Sequence, residues 1–126
     1  MRIESSAAMS LVDVDVGTEI FCSLVLEVPQ TAAYLKIGTT VHLLFKETEV
    51  SIAKNLSGLI SLRNRVKSRI KEIEKSKILS KVILDFQHTD IVSIISTRSA
   101  EKLELKIGDE VEWLVKTNEV TISYED

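Results

Sequence analysis

The chain is poor in the residues that mark several common protein classes. Its 126 residues include one cysteine, one proline, one tryptophan, two tyrosines and three phenylalanines. Cys22 cannot form a disulfide within the chain and lies in an apolar alternating stretch, so we predict a reduced, packed side chain. No stretch approaches the roughly 18 uncharged apolar residues of a transmembrane helix, and no signal peptide is recognisable. We expect a soluble, cytoplasmic protein without membrane insertion.

The chain also lacks a strong charge of either sign. Its 16 Lys and Arg residues against 19 Asp and Glu residues give a formal net charge of -3. General nucleic-acid binding needs clustered cations, and single-strand binding also needs aromatic stacking platforms along a basic groove. We therefore expect contact with nucleic acid only through a separate domain that is not part of this sequence.

Motifs of catalysis and metal binding are missing as well. The sequence has no glycine-rich phosphate loop, no nucleophile elbow and no paired carboxylates in an apolar context. His42 and His88 lie far apart without cysteine or acidic residues at metal-ligand spacing. We expect a protein that is not an enzyme, with no metal bound directly by protein ligands and no organic cofactor.

What the chain does contain is an internal repeat. Leu35 to Gly38 reads Leu-Lys-Ile-Gly and recurs unchanged as Leu105 to Gly108. The segments that follow, 39–52 and 109–122, carry Val, Leu, Lys, Glu, Val and Ile at matching places. Upstream, alternating apolar residues predict hairpins over 11–28 and 81–95. Two copies of one small unit are indicated.

Three segments depart from simple strand alternation. Residues 29–35 and 98–103 lack period-two alternation and end near glycines, so we predict one short helix in each repeat. Residues 65–80 fit helical spacing too, but the repeat favours strand, loop and strand.

The repeat also sets the domain boundaries. We assign residues 1–55 to a first repeat and 59–126 to a second, with 55–58 as linker. The first repeat has no counterpart of 59–70 and so lacks its first strand. Units of about 60 residues bury little surface, so we expect the halves to share strands and the chain to form a homodimer or higher homo-oligomer.

Three segments are rich in hydrogen-bond donors. They are Ser61-Leu62-Arg63-Asn64, Ser96-Thr97-Arg98-Ser99 and Lys116-Thr117. Hydroxyls, backbone N–H groups and a few cations can replace the hydration shell of a small oxyanion.

These motifs resemble the molybdenum-pterin-binding (Mop) or TOBE domain family. The second repeat matches the family's Ser-x-Arg-Asn opening, its Thr-x-x-Ser stretch with Ser96 for threonine, its Leu-x-Leu-x-x-Gly-x-x-Val at 103–111 and its Lys-Ala-x-x-Val at 116–120. The first repeat matches only over 35–52. The resemblance implies an all-β fold of two OB-like five-stranded barrels, each with one short helix and sharing strands.

The resemblance also implies a ligand and its contacts. Family members bind molybdate or tungstate at seams between subunits. Carried over to this sequence, the oxyanion-binding residues are Ser61, Arg63, Asn64, Ser96, Ser99, Lys116 and Thr117, with Lys46 as a weaker candidate. The implied function is a molybdate or tungstate module for storage or for sensing in a transcription regulator. The alternative is a dimerisation or regulatory domain of a molybdate transporter ATPase that binds no anion.

Five of the eight site residues also have a purely structural interpretation. Arg63 belongs to a basic stripe with Arg65, Lys67 and Arg69 that a solvated strand face would explain. Lys46 and Lys116 could be edge lysines that discourage strand pairing. Ser96 and Ser99 could serve only to cap a helix.

Overall fold

The computed structural model describes residues 2–124. Within that range the chain forms ten strands, one α-helix and two short 3-10 turns. The elements are β1 (Arg2–Ser6), β2 (Met9–Val16), β3 (Glu19–Val25), β4 (His42–Leu44), β5 (Ser51–Ala53), β6 (Asn64–Lys75), β7 (Leu79–Phe86), β8 (Thr89–Ser96), α1 (Thr97–Lys102), β9 (Glu110–Val115) and β10 (Thr121–Ser123), with 3-10 turns at Glu47–Glu49 and Thr117–Glu119. The all-β, OB-like prediction is confirmed, and 65–80 forms strand, loop and strand.

The chain divides into two compact units. The first runs to Phe45 and resumes at Lys116, whereas the second spans Lys46–Val115. In the first unit β1, β2 and β3 form one antiparallel sheet, and β4 pairs with β10 in another. In the second unit all strands join one sheet in the order β5-β9-β6-β7-β8.

Each unit is completed by the end of the other sequence repeat. In the first unit Ser23 Oγ donates a hydrogen bond to the carbonyl of Val120 at 2.6 Å. In the second unit Ser93 Oγ donates one to the carbonyl of Val50, also at 2.6 Å. Ser23 and Ser93 are equivalent repeat positions with no exposed surface. Repeats 1–55 and 59–126 thus divide the chain by sequence similarity, whereas the compact units follow this exchange of segments.

We expect Ser93→Ala to lower the free energy of unfolding by about 1–3 kcal/mol, because the buried carbonyl of Val50 loses its donor. Urea denaturation measures this loss. Ser57→Ala, in the exposed linker, is the control and should change stability little. Equal stability of the two variants would show that the Ser93 hydroxyl does not hold the exchanged segment.

The repeated Leu-Lys-Ile-Gly signature has a structural explanation in both units. Leu35 and Leu105 are 4% and 5% exposed and anchor the turn in the core. Gly38 and Gly108 have φ values of +101° and +92°, which side-chain-bearing residues rarely adopt. The leucine therefore supplies burial and the glycine supplies the backbone conformation at the entry to β4 and β9.

One predicted helix is absent. Residues 28–35 form turns, in which the N–H groups of Thr31 and Ala32 both bond to the carbonyl of Val28. In the second repeat Ser96 caps α1, but the equivalent position in the first repeat is Leu26, which has no oxygen to accept a bond from the first turn. The prediction of one helix per repeat therefore holds only for the second.

The cores follow from alternation along the strands. In the first unit Val12, Val14 and Leu35 are buried, with half-buried apolar side chains packed around them. In the second unit Trp113 has no exposed surface, donates from Nε1 to Ser68 Oγ at 3.0 Å and meets Phe86 edge-on at 5.5 Å. A bulge between Ile70 and Glu72 lets β6 pair with β9 by its first half and with β7 by its second.

Candidate functional site

Ser61 and Arg63 lie at the entrance to the second unit's sheet. Both are exposed and precede β6, which begins at Asn64. Alternation along a strand would place Ser61 and Arg63 on one face, but this stretch is not paired in the sheet. Within residues 2–124 neither side chain takes part in a hydrogen bond or an ion pair. Their donors are available to a ligand.

Asn64 behaves differently from its two neighbours. It is 1% exposed, has a bonding partner and pairs in register with Val115. Its side chain belongs to the row on β6 that also buries Val66 and Ser68. The structure thus gives Asn64 a structural role in fixing the start of β6, and its direct contact with an oxyanion stays a prediction.

Arg65, the next cation along β6, already has a partner. Its Nε and Nη2 atoms donate to the two carboxylate oxygens of Glu112, each at 2.9 Å. This bidentate pair spans β6 and β9 and leaves the guanidinium engaged. Of these two arginines, only Arg63 is free to bind an anion.

The Arg65 pair predicts a dependence of stability on pH. The side-chain hydrogen bond from Arg65 lowers the pKa of Glu112 below its ordinary value of 4.5, against an opposing effect of burial. A depressed folded-state pKa stabilises the fold above the unfolded value, and this contribution is lost as pH falls through the folded value. We expect the stability difference between the wild type and Glu112→Gln to be full at neutral pH and to shrink below about pH 4.5.

Urea denaturation at several pH values measures that difference. Glu110→Gln is the matched control, since Glu110 is exposed on the same strand and forms no ion pair in the described part of the chain. A difference for Glu112→Gln that persists unchanged at pH 3 would contradict the assignment.

Ser96 and Ser99 form the cap of α1. Ser96 Oγ accepts from the N–H of Ser99 at 3.1 Å and donates to Ser99 Oγ at 2.8 Å. Ser96 is therefore the N-cap of α1. This cap does not exclude a ligand, because the hydroxyl proton of Ser99 is not used within this pair.

Ser99 also lines an open cavity in the second unit. The cavity measures about 320 Å³ and is bounded by Ser51, Ile52, Ile95, Ser99, Lys102 and Leu103. Three of these residues are polar (Ser51, Ser99 and Lys102) and three are apolar (Ile52, Ile95 and Leu103). The lining does not include Ser61 or Arg63.

Ser51 and Lys102 were missed by the sequence analysis. Lys102 follows Ser99 by three positions on α1, so helical spacing could have placed both on one face. Ser51 comes from the first repeat and reaches this cavity only because of the segment exchange, for which the sequence gives no local indication.

The two lysines of the repeated strand ends fall in different units. The carbonyl of Lys46 accepts from the N–H of Glu49 at 2.9 Å, and that of Lys116 accepts from Glu119 at 3.0 Å, so each precedes a 3-10 turn. Lys46 belongs to the second unit with Ser61, Arg63, Asn64, Ser96 and Ser99. Lys116 and Thr117 belong to the first unit. Both lysine side chains are exposed, without a bonding partner among residues 2–124.

Other site types find no support in residues 2–124. No group of three or more His, Cys, Asp or Glu side chains is placed to hold a metal ion, and both histidines are exposed. No helix in this range has the length and apolarity needed to cross a bilayer.

Comparison with known proteins assigns the family. Residues 60–122, half of the chain, match the TOBE domain model. The chain belongs to the TOBE domain family. The matched segment contains all the predicted oxyanion-binding residues except Lys46.

One protein of similar sequence and one solved structure of similar fold can be compared with this TOBE chain. "Molybdenum-pterin-binding protein 3" of Clostridium pasteurianum is 34% identical over 64 residues, covering 50% of this chain and 94% of that protein. The molybdate-bound structure of the cytoplasmic molybdate-binding protein ModG superposes with a TM-score of 0.88 at 22% identity, covering 98% of this chain and 89% of that one. The resemblance to Mop and TOBE proteins is thus confirmed, and the ModG likeness shows that the whole fold is shared.

Proposed function

We propose that this TOBE chain is a cytoplasmic module that binds molybdate or tungstate and has no catalytic activity. The curated relative that it matches is named for molybdenum-pterin binding, and the structure with the same overall fold is a cytoplasmic molybdate-binding protein. The donor-rich segments found in the sequence fall within the matched domain. Molybdate and tungstate are tetrahedral dianions, and hydroxyl, amide and guanidinium donors suit them.

The observation that carries this proposal is that the side chains of Arg63 and Ser61 have no bonding partner among residues 2–124. Arg65, Lys54 and Lys71 are held by carboxylates of the chain itself, at 2.9–3.1 Å for the first two and 2.8 Å for Lys71. Arg63 has no such partner within the described residues, and Ser61 lies two positions before it. The Arg63 guanidinium and the Ser61 hydroxyl therefore remain available as donors to an anion, because no acidic side chain of residues 2–124 occupies them.

A single copy of this segment offers few donors to a tetrahedral dianion. We therefore propose that copies of the chain meet in a homodimer or higher oligomer, and that the site at the seam combines Ser61 and Arg63 with some of Ser96, Ser99, Lys46, Lys116 and Thr117. Asn64 would hold the segment in place. Storage and sensing are both compatible roles for such a module.

We expect molybdate or tungstate to raise the thermal stability of the protein by mass action. A ligand at about 100 times its Kd adds about 2.7 kcal/mol to the free energy of unfolding. Differential scanning calorimetry with molybdate, tungstate and equimolar sulfate measures the effect, and sulfate should raise the melting temperature only weakly. No shift with either metal oxyanion at millimolar concentration would contradict the proposal.

The alternative is a dimerisation or regulatory domain of a molybdate transporter ATPase that binds no anion. It draws support from the structural roles of Asn64 and Ser96, which already have partners within the fold. An unchanged melting temperature together with an intact oligomer in sedimentation would favour this alternative.

A further inference from the structure

The sheet of the second unit leaves a gap between its two edge strands. β5 and β8 are the ends of the order β5-β9-β6-β7-β8 and do not pair with each other within residues 2–124. They approach where Ser93 Oγ of β8 donates to the carbonyl of Val50, just before β5. Beyond that point the chain turns from β8 into α1. The cavity of about 320 Å³ lies in this gap, bounded by β5, the end of β8, α1 and Leu103.

The lining of this cavity is amphipathic. Its three apolar side chains are half-buried, and its three polar side chains are exposed. The apolar ones are Ile52, Ile95 and Leu103, and the polar ones are Ser51, Ser99 and Lys102. Because a polar group loses free energy when it is buried without a partner, a ligand in this cavity turns its apolar part inward and its polar part toward solvent.

The polar part of the lining favours an anion. The side chains of Lys102 and Ser51 have no bonding partner among residues 2–124, and none of the six lining residues is acidic. The hydroxyl of Ser99 accepts from Ser96 Oγ and keeps its own proton for donation. An ammonium and two hydroxyls suit a carboxylate, whose two oxygens accept several hydrogen bonds.

The first unit shows that these donors are not needed to build a core of this kind. In the register of the Leu-Lys-Ile-Gly repeat, Ser99 corresponds to Pro29 and Lys102 corresponds to Ala32. Ala32 is 6% exposed and belongs to the core of the first unit. The hydroxyl and the ammonium are therefore particular to the second unit, where they face a cavity.

We propose that this cavity binds a short aliphatic monocarboxylate, as a ligand separate from the oxyanion. Lys102, Ser51 and Ser99 hold the carboxylate, and the aliphatic body packs on the three apolar side chains. Molybdate has no apolar surface and would leave those side chains without a partner. The lining contains no aromatic ring, which favours an aliphatic body. The volume lies at the lower end of the range of about 300–1,000 Å³ found for small-molecule sites.

Titration of the full chain with 4-methylpentanoate, followed by NMR of the Ile and Leu methyl groups, tests the proposal. We expect the signals of Ile52, Ile95 and Leu103 to shift with a Kd of about 1 mM, an ordinary affinity for a ligand of about eight non-hydrogen atoms. The signal of Ile122, which corresponds to Ile52 in the first repeat, should stay unchanged. 4-Methylpentanamide lacks the charge and acetate lacks the aliphatic body, so each should bind at least about tenfold more weakly.

Lys102→Gln should weaken the binding of 4-methylpentanoate by about tenfold and leave that of the amide unchanged, because only the carboxylate uses the charge. Lys106→Gln is the matched control, since it removes an exposed lysine that does not line the cavity. Urea denaturation checks that both variants fold. The rise in melting temperature with molybdate should be the same for Lys102→Gln and the wild type, so this proposal and that of oxyanion binding can fail separately.

Four results would overturn the proposal. The first is the absence of any shift at the three lining methyl groups, and the second is an equal shift at Ile122. The third is equal binding of the carboxylate and the amide, or an unchanged Kd for Lys102→Gln. The fourth is displacement of 4-methylpentanoate by molybdate, which would assign the cavity to the oxyanion.

Discussion

Trp113→Ala is expected to lower the free energy of unfolding by about 3–5 kcal/mol, the range observed when a buried tryptophan or phenylalanine is truncated. Trp113 has no exposed surface and lies on the central part of β9, between β5 and β6. Truncation removes its edge-on contact with Phe86 and leaves a cavity that the surrounding strands cannot close, because they are fixed by backbone pairing. Urea denaturation followed by circular dichroism measures the loss.

Two further variants separate packing from hydrogen bonding. Trp113→Phe keeps most of the ring volume but removes the Nε1 donor to Ser68, and we expect it to cost about 1 kcal/mol from the hydrogen bond in addition to the lost volume. Leu43→Ala changes the equivalent position of the first repeat, where the side chain is only half-buried, so its effect should be smaller than that of Trp113→Ala. Equal losses at 43 and 113 would contradict the difference in burial between these two equivalent positions.

Most of the strands could be predicted because apolar and polar residues alternate clearly along them and the same pattern occurs in both repeats. The hairpins at 11–28 and 81–95 each combine period-two burial with a short polar turn, and each forms as predicted. The segment exchange could not be predicted from the same information. Residues 51–52 and 121–122 present the same pattern, Ser/Thr followed by Ile, so local sequence does not specify which copy each segment completes.

The candidate site was predictable in its residue types but not in its arrangement. Arg63 and Arg65 look alike in the sequence, and only the position of Glu112 across the sheet separates an engaged guanidinium from a free one. Asn64 looked like a ligand because it completes a motif, yet strand pairing turns it inward. Ser51 joins Ser99 at a cavity through an exchange that no local pattern encodes.

Arg63→Ala is expected to weaken molybdate binding by about tenfold to a hundredfold, since a hydrogen bond to a charged group contributes about 1.5–3 kcal/mol. The fold should be unaffected, because Arg63 is exposed and has no bonding partner among residues 2–124. Isothermal titration with molybdate measures the affinity, and urea denaturation without ligand checks the stability. Arg63→Lys keeps the charge but loses the planar fork, so it should restore only part of the affinity.

Lys67→Ala is the matched control, because it removes one exposed cation from β6, four residues along the chain from Arg63. If attraction by net charge were the cause, Arg63→Ala and Lys67→Ala would weaken binding equally, and the loss would fade as salt is raised. A contact at the site instead predicts a loss specific to Arg63 that persists at high salt. Ser61→Ala should lower affinity less than Arg63→Ala, since a neutral hydroxyl contributes a weaker hydrogen bond to the dianion. Equal affinities for Arg63→Ala, Lys67→Ala and the wild type would remove Arg63 from the site and leave the cavity beside Ser99 and Lys102 as the place to look for the anion.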